Sequence, residues 1–183
     1  MLRNLAIIAS LVASPALATG IQVQVEGEGA NGTIKIDLFE DVAPKHAERI
    51  AKLAEQGAYD NVVFHRVIDG FMAQTGDVEH GTMGSDMRRA GTGGSAFPDL
   101  PAEFSDLPFD AGVVGMARSQ NPNSANSQFF IMFDAGYFLN GQYTVVGKVT
   151  EGMDVVDAIK RGDQRSGAIK GQPDVMKTVT VTE

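Results

Sequence analysis

In the stretch Phe64–Asp77, FHRVIDGFMAQTGD, apolar residues surround one arginine, Arg66, and one glutamine, Gln74, with the turn signal Asp69-Gly70 between them. Asp-Gly flanked by β-prone residues is a strong short-range hairpin cue. Loop length decides what the hairpin can do. A two-residue loop at Asp69-Gly70 sets Arg66 opposite Ala73, whereas a three-residue loop through Phe71 sets it opposite Gln74. The second is favoured, because Arg66, Met72 and Gln74 then share one face of the pleat. A permanent cation, an amide and a polarisable apolar side chain on one face suit gripping and polarising a peptide, and suit a packed core badly.

The elements that must position this face follow a leader. Within the first eighteen residues Arg3 is the only charge, Leu5–Ala13 form a short apolar run, Pro15 breaks it, and Ala16-Leu17-Ala18 gives an A-x-A cleavage site. The run is too short for a membrane span. The expectation is a cleaved signal peptide over 1–18, a single domain over 19–183, and export, most simply to a bacterial periplasm. The remaining 165 residues can bury a sizeable core. Cysteine is absent, so neither a disulfide nor thiol chemistry operates. Net charge is −8 and becomes −9 without Arg3. An acidic chain without a basic stripe argues against binding nucleic acid or, once the leader is removed, a membrane.

Strict alternation marks Ile21–Glu26 and Ile34–Leu38 as half-buried strands. Between them Gly27–Gly32 matches G-x-G-x-x-G, but a strand follows where a dinucleotide site needs a helix, so it reads as a hairpin loop. Ala43–Gln56 reads as a helix, with Pro44 at its first position, Gly57 at its end, and a small-residue stripe of Ala43, Ala47, Ile50, Ala51 and Ala54. Gly81–Gly94 is glycine-rich without the ending of a phosphate loop, and Phe97–Asp110 carries three prolines and reads as an irregular surface excursion. Gly112–Ala117, Ser127–Phe133, Tyr143–Val149 and Val175–Val181 read as strands, the second nearly all apolar and hence central. A second short helix is expected over Met153–Arg161. About eight strands joined by hairpins, two helices and no β-α-β alternation imply a mainly β fold. A closed antiparallel barrel capped by the helices would hide the sheet edges.

Four segments in this order and spacing resemble the cyclophilin family of peptidyl-prolyl isomerases: FHRVIDGFMAQTGD at 64–77, GTGG at 91–94, GMARSQNPNSANSQFFI at 115–131 and FLNGQYTVVGKV at 138–149. The resemblance covers nearly all of the chain after the leader and is strongest to exported forms of Gram-negative bacteria. It implies an eight-stranded barrel capped by two helices and an enzyme that speeds rotation about Xaa-Pro bonds of proteins folding after export. By the same resemblance Arg66 is the catalytic arginine and Gln74 holds it and the substrate carbonyl. Phe71, Met72, Phe130 and Leu139 line a proline pocket. Ala117, Arg118, Ser119 and Gln128 shape the groove for residues preceding the proline, with the backbone of Arg118 bonding the peptide. No metal or cofactor is implied, and the partners are proline-containing segments of unfolded proteins met by a monomer.

Departures from the family pattern are local. Phe138 and Tyr143 stand where its most studied members carry tryptophan and histidine. Loss of the indole N–H leads us to expect weak cyclosporin binding. Thr75 replaces a glycine, and the 78–90 loop is longer than in compact members.

Without the resemblance, Arg66 reads as a salt-bridged surface residue, and Met72, Phe130 and Leu139 read as core. His65, one residue from Arg66, is expected to face into the barrel as a hydrogen-bonded core histidine. Asp77, Glu79 and His80 read as a solvated loop rather than cation ligands. Ser124 and Ser127 lack the setting of a nucleophile. The competing functional class is a proline-segment binding module or holdase that keeps the groove but does little catalysis.

Overall fold

The computed structural model describes residues 19–183, so the expected leader and its cleavage site lie outside the described residues. One sheet contains every strand described: β1 (Gly20–Glu26), β2 (Gly32–Leu38), β3 (Val62–Val63), β4 (Arg66–Ile68), β5 (Met72–Thr75), β6 (Val113–Met116), β7 (Phe129–Met132), β8 (Val145–Glu151) and β9 (Val175–Thr182). Their order is β3-β9-β1-β2-β8-β6-β7-β5-β4, and all the pairings are antiparallel. The outermost strands, β3 and β4, are separated in the chain only by Phe64 and His65. The sheet therefore curls until its two ends meet. β3 and β4 are halves of one interrupted strand, which is how an expected eight becomes nine.

The outer edge of β4 is covered by the segment 162–168. Val67 N–H donates to Gly167 O at 2.9 Å and Gly162 N–H donates to Val67 O at 2.9 Å. Thr75 Oγ1 donates to Val63 O at 2.9 Å, stitching β5 to the end of β3. No row of unpaired backbone groups is left along that edge to template association.

Period-two alternation splits the apolar residues into two clusters. Ile21, Val23, Ile34, Ile36, Ala73, Val114, Phe129 and Ile131 point into the main core. Their neighbours Met72, Val113, Phe130 and Met132 form a second cluster on the opposite face, with Phe109, Leu139 and Val145. β7 is apolar at every position because both of its faces are covered, as its sequence suggested.

Two helices close the main core. α1 (Pro44–Glu55) has Pro44 in its first turn, and Gly57 follows its end at φ +66°. Ala43 offers no side-chain cap. Glu103 caps the helix instead, accepting from Lys45 N–H at 3.1 Å and His46 N–H at 3.2 Å. Ala43, Ala47, Ile50 and Ala54 of the expected small-residue stripe are buried and Ala51 is half-buried; His46 and Leu53 widen the buried face, since the core reaches far enough around the helix to take a leucine and a histidine. α2 (Met153–Ala158) stops three residues before the expected Arg161. The cause is Asp174, buried after a long loop, whose Oδ2 accepts from Lys160 N–H at 2.8 Å and pulls the chain out of helical geometry. The same carboxylate accepts from Gly29 and Ala30 N–H, so it also fixes the β1–β2 hairpin loop.

Candidate active site

Strand β4 pairs with β5 in the register Arg66↔Gln74, Val67↔Ala73, Ile68↔Met72. The loop is therefore the three-residue Asp69-Gly70-Phe71. Phe71 N–H closes it onto Ile68 O at 3.1 Å, and Gly70 takes φ +67°, a conformation that favours glycine. Arg66 Nη1 donates to Gln74 Oε1 at 3.2 Å and lies 3.7 Å from Met72 Sδ. The row continues across the sheet, since Gln74 pairs with Phe130 and Phe130 with Gly115.

Arg66 is supported from beneath by Gly167. A Cβ there would lie 2.7 Å from Arg66 Cγ and 2.9 Å from Ile68 Cγ1, and Gly167 already sits at φ +78°. Its role was not visible in the sequence, where Gly167 is one of 21 glycines.

Gln74 is oriented from both sides. Its oxygen faces an arginine, which can only donate, so its amide nitrogen must point the other way. Nε2 donates to Gln128 Oε1 at 2.9 Å, and Gln128 Nε2 donates to Gly93 O at 2.8 Å. A carbonyl at one end and a guanidinium at the other leave a single arrangement for both amides.

An apolar cavity of about 300 Å³ opens beside this row. Met72, Phe130 and Leu139 form its wall and are nearly fully buried, being at once pocket and core. Behind them Phe109 stacks on Phe130 at 5.8 Å between ring centroids. Phe109 comes from the excursion 97–110, which the sequence placed on the surface; it is wholly buried. Both rings lie over Gly115, where a Cβ would come within 2.6 Å of each. Tyr143 meets Phe130 edge-on at 5.9 Å, and Phe138 leans on Phe71 at 5.4 Å. Phe138 is 66% exposed, forming a rim and not a floor.

A second cavity of about 320 Å³ adjoins the first, sharing Gln74, Ala117 and Arg118 with it. Ser119, Ser124, Asn126 and Gln128 line this second space, along with the glycine-rich segment at Gly91–Gly93. The arrangement brings every expected site residue to one continuous groove. The Arg118 side chain does more than its backbone alone was expected to do. Nε and Nη2 donate to Gln142 O at 3.2 and 2.8 Å, Nη1 donates to Ser119 O at 2.8 Å, and the guanidinium lies 4.4 Å over the Tyr143 ring.

Around the groove, burial pushes the Arg66 pKa down and the nearby Tyr143 opposes the shift. A guanidinium stays protonated regardless. Two expectations for the neighbouring loop are corrected. Asp77 is fully buried, not solvated: Oδ1 accepts from Glu79 and His80 N–H, and Oδ2 from Gly91 and Gly93 N–H at 2.7 and 3.0 Å. Burial raises its pKa, but the four backbone bonds together outweigh it and the carboxyl lies below its ordinary value. His65 is half-buried and not a core residue, because the strand is broken at Phe64–His65 and alternation lapses there. Its ring abuts Gly91, and neither of its buried nitrogens has a hydrogen-bond partner. Burial, opposed by Asp77, depresses its pKa. Ser124 and Ser127 spend their hydroxyls on the carbonyls of Asn121 and Gly76. Among the described residues no cluster of histidine and carboxylate side chains could hold a metal.

The family model described as cyclophilin type peptidyl-prolyl cis-trans isomerase/CLD matches residues 21–182. A probable peptidyl-prolyl cis-trans isomerase of Brucella suis is 63% identical over 150 residues, covering 80% of this chain and 76% of that relative. The peptidyl-prolyl cis-trans isomerase of Synechococcus elongatus is 37% identical over 139 residues, covering 75% and 88%. A crystal structure of a cyclophilin-type isomerase from Cryptosporidium parvum superposes with a TM-score of 0.74 at 24% identity, covering 91% of this chain and 99% of that one. A second crystal structure of that protein was determined in the presence of the dipeptide Ala-Pro. That likeness shows the fold, a strongly curled antiparallel sheet with two helices.

Proposed function

Because the chain belongs to the cyclophilin-type peptidyl-prolyl cis-trans isomerases, we propose that its groove seats an Xaa-Pro segment with Arg66 as the catalytic donor and Gln74 holding it. The proline ring enters the apolar cavity formed by Phe71, Met72, Phe130, Phe138, Leu139 and Tyr143. The residues before it run past Ala117, Arg118, Ser119 and Gln128 into the second cavity. The observation that carries this reading is the Arg66–Gln74 pair set at the edge of an apolar cavity with no carboxylate among its lining residues.

The chemistry follows from the amide. Resonance of the nitrogen lone pair into the carbonyl opposes rotation with a barrier of roughly 18–20 kcal/mol. At the twisted transition state the lone pair returns to nitrogen. A donor aimed at that nitrogen binds the transition state and not the planar ground state, and each tenfold gain in rate needs about 1.4 kcal/mol of such preference. Gln74 and Met72 engage only one nitrogen of the Arg66 fork, so its other N–H groups remain for substrate. Apolar walls keep water from weakening the field.

The same proposal places the enzyme in the periplasm, acting on exported proteins as they fold, on the strength of the leader pattern at 1–18. Phe138 offers a ring without an N–H donor, consistent with weak cyclosporin binding. Protease-coupled or NMR exchange measurement of a short Xaa-Pro peptide tests the whole reading. Wild-type protein accelerates isomerisation, and Arg66→Ala loses about 10²–10³-fold in kcat/KM, the scale of removing one transition-state donor. Binding of proline peptides at the uncatalysed rate of rotation would leave only a binding module.

A further inference from the structure

Arg118 lines both cavities and so stands where a peptide crosses from the proline pocket to the second cavity beside it. Four of its five N–H groups are spent on backbone carbonyls of Gln142, Ser119 and Gln120. Those bonds fix the guanidinium in place and leave its charge intact, as does the Tyr143 ring beneath it. Neither Arg118 nor Arg66 belongs to any ion pair among the described residues, and neither cavity has an aspartate or glutamate in its lining. A chain of net charge −8 thus presents two uncompensated cations along one groove. One N–H of Nη2 is still unengaged and can donate a single charge-assisted hydrogen bond to a carboxylate.

We propose that Arg118 is a specificity-determining residue that makes this enzyme favour substrates carrying a carboxylate in the two residues preceding proline. The proposal rests on the isomerase reading and on the direction of the peptide given above. An aspartate or glutamate there meets a pre-positioned cation at no cost in ordering the arginine. A lysine at the same place meets two like charges.

The test is a series of Xaa-Pro peptides bearing Glu, Gln or Lys at the first or second position before proline, assayed for isomerisation at low and high ionic strength. At one or both positions Glu exceeds Gln by about two- to fivefold in kcat/KM, the range for a partly exposed ion pair, and Lys falls below Gln. High salt brings the ratios toward one. Arg118→Gln removes the Glu/Gln preference whatever its absolute rate, and Arg118→Lys, which keeps the charge, retains it. A merely structural role would reduce turnover of all three peptides alike in both variants. Equal wild-type rates for Glu and Gln at both positions, or a preference that persists in Arg118→Gln, overturn the proposal while leaving the isomerase in place. Absence of turnover with every peptide would remove the isomerase reading and this proposal together.

Discussion

Arg66 and Gln74 face each other across a directly paired position of β4 and β5, with Nη1 of the arginine 3.2 Å from Oε1 of the glutamine. A turn one residue shorter would have put Ala73 there. The bond aims a cation whose charge no carboxylate quenches, and the relay through Gln128 to the Gly93 carbonyl keeps the glutamine from turning its amide nitrogen toward the arginine.

From this pairing, Arg66→Lys is expected to lose most of the activity although the charge survives. Lysine is a compact point charge without the planar fork, so it cannot bond Gln74 and reach the imide nitrogen together. A drop of about 10–10²-fold in kcat, with a much smaller change in KM, marks an interaction made in the transition state. Gln74→Ala should behave alike but more mildly, by about tenfold for a bond worth ~1.4 kcal/mol. Steady-state kinetics on one Xaa-Pro peptide checks both.

Gly167→Ala is expected to damage catalysis from behind the site. Its Cβ would fall 2.7 Å from Arg66 Cγ at a backbone φ of +78°, so either the arginine stem or the 162–168 segment must move. Misplacement by about 1 Å is enough to cost ~10²-fold in rate. The measurement is kcat set against the melting temperature. Lost stability with unaltered kcat would show that Arg66 tolerates the intrusion.

How far such positions were legible depends on the range of the interaction. Arg66 opposite Gln74 follows from one hairpin turn and two-residue periodicity, both local. The apolar run of β7 announced a strand covered on both faces. Gly167 under Arg66, Phe109 behind Phe130, and Glu103 at the N-terminus of α1 join segments far apart in the chain, and no period or turn signal encodes such a meeting. Asp77 looked like an ordinary loop carboxylate, and nothing in the sequence singled out Asp174, because what they bond is distant backbone: Gly91 and Gly93 for the first, Gly29 and Ala30 for the second. His65 was misplaced for a local reason, the break between β3 and β4, which interrupts alternation where a continuous strand was read.

Asp77→Asn should loosen the loop that walls the second cavity. One carboxylate oxygen would become an NH2 group facing backbone N–H donors, leaving two buried donors without acceptors, at about 1–3 kcal/mol each. The pH dependence has a definite sign. The folded carboxyl lies below its ordinary value of 3.8, so its stabilisation is present above that pH and is lost as pH falls through the lower folded value. Denaturant midpoints and hydrogen exchange at the Gly91 and Gly93 amides report both effects. Unchanged exchange at those amides would mean that the loop is held by something else.

His46 sets the behaviour nearer neutrality. It is fully buried in α1, its Nδ1 lies 2.6 Å from Glu103 Oε2, and its Nε2 has no partner. Burial lowers its pKa below 6.5; the Glu103 carboxylate opposes that shift, while Arg49 and Lys45 reinforce it. The folded protein therefore resists a proton that the unfolded chain accepts, and the sign follows from linkage. Stability is fully present above about 6.5 and falls as pH drops toward the folded pKa, by up to ~1.4 kcal/mol per pH unit for one histidine. His65 is depressed too and adds a contribution of the same sign. Urea midpoints measured from about pH 7.5 down to about 5 should decline in the wild type and decline less steeply in His46→Gln. Equal slopes in the two proteins would mean that Glu103 offsets the burial in full, and a steeper decline in His46→Gln would mean that Glu103 stabilises an imidazolium in the fold.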